Sequence, residues 1–191
     1  MAFQSGNADR PFGFIAVRHY FGGLVRASAY SIASGLAQDL FYGDPVKSTG
    51  TGKNITIAAA AGRALGVFAG VQYVDSNGDV RWEPKWVSGT VIETGSKVVA
   101  WVYDDPGILF EIQADGAVVA ADIGATADYV LGAGDAKTGR SRYELDSSDI
   151  GTGANLKIIE LVDRPDNAFG TNAKVHVLIN EHELKSDMTA V

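Results

Sequence analysis

The sequence predicts an all-β protein: a β-barrel or a jelly-roll-like β-sandwich with one short helix and an extended N-terminal arm. Three observations carry that prediction. Glycine supplies 23 of 191 residues, against a usual share of roughly 7%, and shows no collagen period, so the chain turns often. Short runs of Val, Ile, Leu, Tyr and Trp are punctuated by Gly, Asn-Gly and Pro, which is the layout of strands joined by turns. Only residues 120–131 show helical spacing over a useful length.

Size and composition fit one domain. The hydrophobic fraction of 46% and the mean hydropathy of +0.04 supply a sizeable core. Residues 1–30 form the arm and first strands, and residues 31–191 form the β core with a short polar C-terminal tail. The net charge of -7 argues against a general nucleic-acid binder, which needs a basic surface to displace counterions. Arg10, Arg18, His19 and Arg26 nevertheless make the N-terminal end basic. That asymmetry suits an arm docking on an acidic surface, or is ordinary scatter. The absence of cysteine excludes disulfides and thiolate metal sites. No run reaches the 18 apolar residues of a membrane span. The N-terminus lacks the basic-then-apolar layout of a secretion signal, so synthesis in a cytoplasm is expected.

In chain order, residues 1–14 read as extended, with Pro11 and Gly13 breaking any helix. Phe3, Phe12 and Phe14 stand out there, because a polar segment cannot build a core around them. They dock on a neighbour or fold back on their own domain. Residues 15–20 and 24–30 read as strand pieces around a Gly22-Gly23 turn. Gly43-Asp44-Pro45-Val46 leads into a strand, with Pro suited to a strand start. Residues 65–74 are the strongest buried strand, and their glycines indicate a bend or a close backbone approach. Asn77-Gly78 makes a hairpin turn that pairs residues 72–74 with 80–82. Residues 98–103 form another strand, and Asp104-Asp105-Pro106-Gly107 a turn. Residues 108–113 alternate, with Glu111 and Gln113 outward, and Asp115-Gly116 reads as the next hairpin turn. Over residues 120–131, Asp122 is the expected cap, while Ile123, Ala127, Val130 and Leu131 face inward. Residues 142–145, 156–162 and 174–180 complete the strands.

No constellation of catalytic residues emerges. Gly50-Thr51-Gly52-Lys53-Asn54 lacks the spacing and the hydroxyl of a phosphate loop. Asp75-Ser76-Asn77-Gly78-Asp79 places its glycine too early for a calcium loop. His19, His176 and His182 show no zinc spacing. No Gly-x-Ser-x-Gly elbow is present. The expectation is a protein that is not an enzyme and has no cofactor. Trp82 and Trp86 flank Pro84 and Lys85 as core residues or as a partly exposed interaction surface.

Gly43-Asp44-Pro45-Val46, Leu65-Gly66-Val67-Phe68-Ala69-Gly70, Val102-Tyr103-Asp104-Asp105-Pro106 and Phe110-Glu111-Ile112-Gln113 resemble the head decoration, or cement, proteins of tailed bacteriophages. Residues 14–24, 139–146, 161–167 and 178–182 add to the likeness, which covers residues 11–184. The resemblance implies a β-rich homo-oligomer, commonly a trimer, on the outer surface of the virion capsid. There it would bind the major capsid protein and stabilise the shell, with no direct contact to nucleic acid or membrane and no catalytic residues. Phe12, Phe14, Arg18 and Tyr20 are the expected capsid or intersubunit contacts, with Arg164, Asp166 and Asn167 as an exposed contact loop. The alternative is a phage tail or fibre component whose β domain binds a receptor or carbohydrate through Trp82 and Trp86.

Overall fold

The structure is a computed structural model that describes residues 7–33, 35–60 and 62–185. Phe3 and the polar tail beyond residue 185 lie outside the described residues. The strands in chain order are β1 Ile15–His19, β2 Ser28–Ile32, β3 Leu40–Phe41, β4 Pro45–Ser48, β5 Asn54–Ile57, β6 Gly66–Val74, β7 Val80–Glu83, β8 Lys85–Trp86 and β9 Val99–Tyr103. They continue with β10 Ile108–Gln113, β11 Ala117–Val118, β12 Thr126–Ala127, β13 Tyr129–Val130, β14 Glu144–Leu145, β15 Leu156–Leu161, β16 Gly170–Thr171 and β17 Lys174–Ile179.

Five of these strands close into a barrel. β6 pairs with β4, β4 with β5, β5 with β2, β2 with β9, and β9 returns to β6. Only the β2–β5 contact is parallel. β7 hangs on β6 outside the ring. Ile32, Val46, Ile55, Phe68, Val71, Ala100 and Val102 pack into one buried cluster, with Leu40, Leu65 and Trp86 sealing it. Glycine is required on β6 for two reasons. A Cβ on Gly66 would lie 2.1 Å from the Tyr103 carbonyl oxygen. Gly70 sits at φ +126 beside a register shift against β9, a backbone that L side chains rarely adopt.

The second body is an open antiparallel sheet in the order β1-β10-β17-β15-β12. One face carries Phe110, Ile112, Val175, Val177, Leu156 and Ile158, which pack with Ala58, Ala64 and Val67 from the barrel side. The protein is thus two β layers, a barrel wall and a sheet, around a shared core. Phe14, Tyr129 and Tyr143 fill its end with edge-on ring contacts to Phe110 and to one another. β2 runs across residues 30 and 31, and β1 and β2 belong to different sheets. The sequence division at residue 30 therefore coincides with no structural boundary.

The Asn77-Gly78 hairpin forms in the expected register, Gln72 opposite Trp82 and Val74 opposite Val80. Gly78 sits at φ +85, and Asp75 Oδ1 accepts the N–H groups of Asn77 and Asp79 to hold the turn. Three local expectations change. The helix over 120–131 shrinks to one 3-10 turn, Ala120–Asp122, followed by β12 and β13. Gly124 at φ +91 ends the turn, and its N–H donates to the Ile158 carbonyl, so ladder pairing to β15 outcompetes a weak local helix signal. Leu131, expected inward, is exposed. Asp115-Gly116 makes no hairpin, because β11 pairs with β16 and Asp115 N–H donates to Leu145. Gln113, expected outward, is fully buried and ties down the arm: its Oε1 accepts Arg10 N–H and its Nε2 donates to the carbonyls of Ala8 and Asn172.

Candidate interaction face

The loop between β1 and β2 is built around His19. Its Nδ1 accepts the backbone N–H groups of Phe21 at 3.2 Å and Gly23 at 3.0 Å. The ring proton therefore sits on Nε2, which faces Asp105 Oδ1 at 3.2 Å. The same Asp105 oxygen accepts Gly107 N–H at 2.8 Å, and Tyr20 N–H donates to the Gly107 carbonyl at 2.7 Å. A Cβ on Gly107 would collide with His19 Nε2 at 2.4 Å, so the turn must carry glycine there. These bonds hold the Asp105 carboxyl below the usual carboxylate range, the Gly107 N–H first and His19 after it. The pinned loop presents Phe21 at 75% and Leu24 at 77% exposure, with Tyr20 and Val17 exposed beside them. Tyr20 packs edge-on to Phe21, and the Arg18 guanidinium lies 5.7 Å from the Tyr20 ring centroid. Four large apolar side chains are thus exposed along β1 and the loop that follows it, with Arg18 beside them.

Next to the loop, the solvent face of the open sheet carries a chain of charges. Arg18 pairs with Glu160 at 3.3 Å, and Glu160 pairs with His176 at 2.9 Å. His176 lies opposite Glu111 in the ladder, and Glu111 pairs with Arg164 at 2.6 Å. Bonding to His176, and secondarily to Arg18, holds the Glu160 carboxyl below its ordinary range. The sheet thus joins Arg18 and Arg164, which are far apart in sequence, into one surface.

The residues picked from sequence meet different fates. Arg18 and Tyr20 are exposed on the loop face, and Arg164 and Asp166 are exposed at the far end of the charged ladder. Phe14 is fully buried in its own core, and its N–H donates to the Gly43 carbonyl, so it has no surface to give a partner. The arm folds back on its own domain at this point. Phe12 is half-buried and lines a separate groove with Arg140 and Arg142. Asn167 is a staple: its amide donates to Val162 and Lys174 carbonyls and accepts Lys174 N–H. Trp86 is buried in the barrel cluster, so it cannot form a surface pair with Trp82. Trp82 instead stacks on Trp101, with rings 12° from parallel and centroids 6.1 Å apart.

Sequence reasoning missed Phe21 and Leu24. Their signal was visible, since two large apolar residues flank Gly22-Gly23 at the tip of a turn, where only polar side chains are cheap to expose. Two buried ionisable groups lie apart from this face. Asp44 is buried in the turn before β4, with Oδ2 accepting Phe41 N–H and Oδ1 without a partner. Burial pushes its pKa up to about 6, with the Phe41 N–H and the Ser141 hydroxyl pulling the other way. His182 is buried with Nε2 unpartnered, and burial pushes its pKa down to about 4 against the pull of Asp104 and Asp105. Among the described residues no group of three or more His, Asp or Glu side chains could hold a metal, and no helix is long and apolar enough to cross a membrane. Compared with protein-family models, curated proteins and solved structures, the chain matches none.

Proposed function

We propose that this protein is a capsid decoration protein of a tailed bacteriophage, which binds the outside of the major capsid shell as a homo-oligomer, a trimer, and stabilises it. The observation that carries the reading is the pinned apolar loop, Tyr20, Phe21 and Leu24, beside the charged ladder on the open sheet. It falls within the phrases that resemble the decoration family. A stabiliser of this kind needs no reaction. It needs a rigid body and a preformed contact surface, since binding only to the assembled lattice stabilises that lattice by mass action. Several subunits binding together would raise retention through effective concentration.

The test is to add purified protein to undecorated capsids of the cognate phage and follow the temperature of shell disruption. The expected result is a rise that grows with the logarithm of free protein concentration, together with a trimer mass in solution. A monomer that leaves capsid melting unchanged would sink the proposal. Exposed Trp82, stacked on the half-buried Trp101, favours one other reading, a tail or fibre component whose β domain binds carbohydrate. Binding to host cells that a Trp82→Ser substitution abolishes would support that reading instead.

A further inference from the structure

Beside the apolar loop lies a cleft of about 380 Å³ between the β1–β2 loop, the Asp104–Gly107 turn and the end of β17. Phe21, Pro106 and Leu178 give it apolar walls, and Lys157 and Lys185 stand at its edge. Lys157 and Leu178 are direct cross-strand partners, so the ammonium is carried next to the apolar wall by sheet register. Asp105 is the one acidic side chain lining the cleft among the described residues. One of its oxygens already accepts Gly107 N–H and faces His19 Nε2, which compensates much of its charge locally. Two ammonium groups thus face one satisfied carboxylate. The size admits a single large side chain, since ligand sites begin near 300 Å³.

We propose that this cleft binds an extended acidic peptide segment of the protein partner, seating one large apolar side chain between Phe21 and Leu178 while a flanking carboxylate meets Lys157 and Lys185. The charge balance selects that occupant. An apolar residue alone would leave two ammonium groups uncompensated, and a basic segment would add to them. The cleft is built in advance, because His19, Gly107 and Asp105 fix its floor through four hydrogen-bonded contacts, and preorganisation lowers the ordering cost of binding. The partner's identity as capsid protein rests on the decoration reading; the cleft's chemistry does not.

The test is titration of the full chain with the peptide acetyl-Asp-Phe-Glu-amide, read by backbone amide shifts at Gly107, Lys157 and Leu178. Saturable shifts are expected, with an affinity in the millimolar range, from the buried ring together with the carboxylate contacts to the two ammonium groups. The double variant Lys157→Glu/Lys185→Glu should bind at least ten-fold more weakly, because it reverses charge at two surface positions without touching the core. Leu178→Phe, which fills the cleft, should bind weakly as well. Equal binding of acetyl-Lys-Phe-Lys-amide would overturn the proposal, as would shifts that appear only with anionic phosphatidylglycerol vesicles. Capsid binding by the charge-reversed variant at wild-type strength would overturn the cleft and leave the decoration reading standing. Peptide binding with no capsid binding would do the reverse.

Discussion

In the barrel, every strand of the ring has a hydrogen-bonded neighbour on both sides, whereas the open sheet ends in two edge strands, β1 and β12. The barrel's cluster is drawn from β2 to β9 and the segments between them. The sheet's core must recruit from the arm, the barrel wall and the loops after β10. The difference separates two tasks. A closed ring satisfies its backbone groups internally and has no edge to guard. The open sheet is where the arm docks, where the charged ladder lies and where the apolar loop emerges from an edge strand. β1 also carries a register shift between Ala16 and Arg18, and such irregularity blunts an edge against unwanted strand pairing.

The comparison breaks most visibly in the cores. Phe68 fills the barrel cluster and Phe14 the sheet core, and both are almost fully buried. Replacing either with Ala should cost about 3–5 kcal/mol in urea unfolding, from lost transfer energy plus a cavity. A Phe14→Ala variant that loses under about 1 kcal/mol would mean that the arm is not part of the sheet's core. Truncating residues 1–14 would remove Phe14 as well, so it is expected to destabilise the fold and cannot isolate a role in partner binding.

The next effect is a pair of opposed pH responses at the seams. The folded pKa of Asp44, about 6, is raised above its ordinary 3.8. Its ionised form therefore costs stability above pH 6, a cost relieved as pH falls toward 3.8. The folded pKa of His182, about 4, is depressed below 6.5. Its stabilisation is present above pH 6.5 and is lost as pH falls toward 4. Each is worth on the order of 3 kcal/mol at most, taking about 1.4 kcal/mol per pH unit. In the native chain the two offset each other. Asp44→Asn should raise stability at pH 7.5 and steepen the loss on acidification. His182→Gln should reduce or reverse that loss. Thermal unfolding from pH 4 to 7.5 reads both, and parallel curves for all three proteins would contradict the account.

A smaller effect belongs to the ladder. Arg164→Ala removes a partly exposed pair with Glu111 and should cost about 0.5–1 kcal/mol, shrinking in high salt. A larger, salt-insensitive loss would mean that Arg164 packs rather than pairs.

The strands were legible because their residues are β-branched and aromatic and their turns carry Asn-Gly or Pro-Gly. Leu156–Leu161, Lys174–Ile179 and the β6–β7 hairpin follow directly from that pattern. Which strands share a sheet was not legible. β9 and β10 are adjacent in sequence, yet the Asp104–Gly107 turn passes the chain from barrel to sheet. Local alternation says nothing of a partner dozens of residues away. Gln113 shows the same limit: its polar side chain suggested a solvent-facing position, and only the docked arm explains why it is buried. At the candidate face, Arg18 and Tyr20 were found because they lie in the basic N-terminal segment, on the first strand piece and at its end. Phe21 and Leu24 were hidden by the Gly-Gly turn signal between them, and Lys157 and Lys185 reach the cleft only through folding.

The central claim is that the sheet half meets a partner while the barrel half supports it. The direct measurement is co-sedimentation of three proteins with undecorated capsids: the native chain, Phe21→Ser/Leu24→Ser on the sheet side, and Trp82→Ser on the barrel side. All three substituted residues are exposed, so unfolding stability should stay within about 0.5 kcal/mol. The account predicts that the loop variant loses at least ten-fold in capsid retention while Trp82→Ser is retained like the native chain. Full retention of the loop variant, or loss confined to Trp82→Ser, would contradict it.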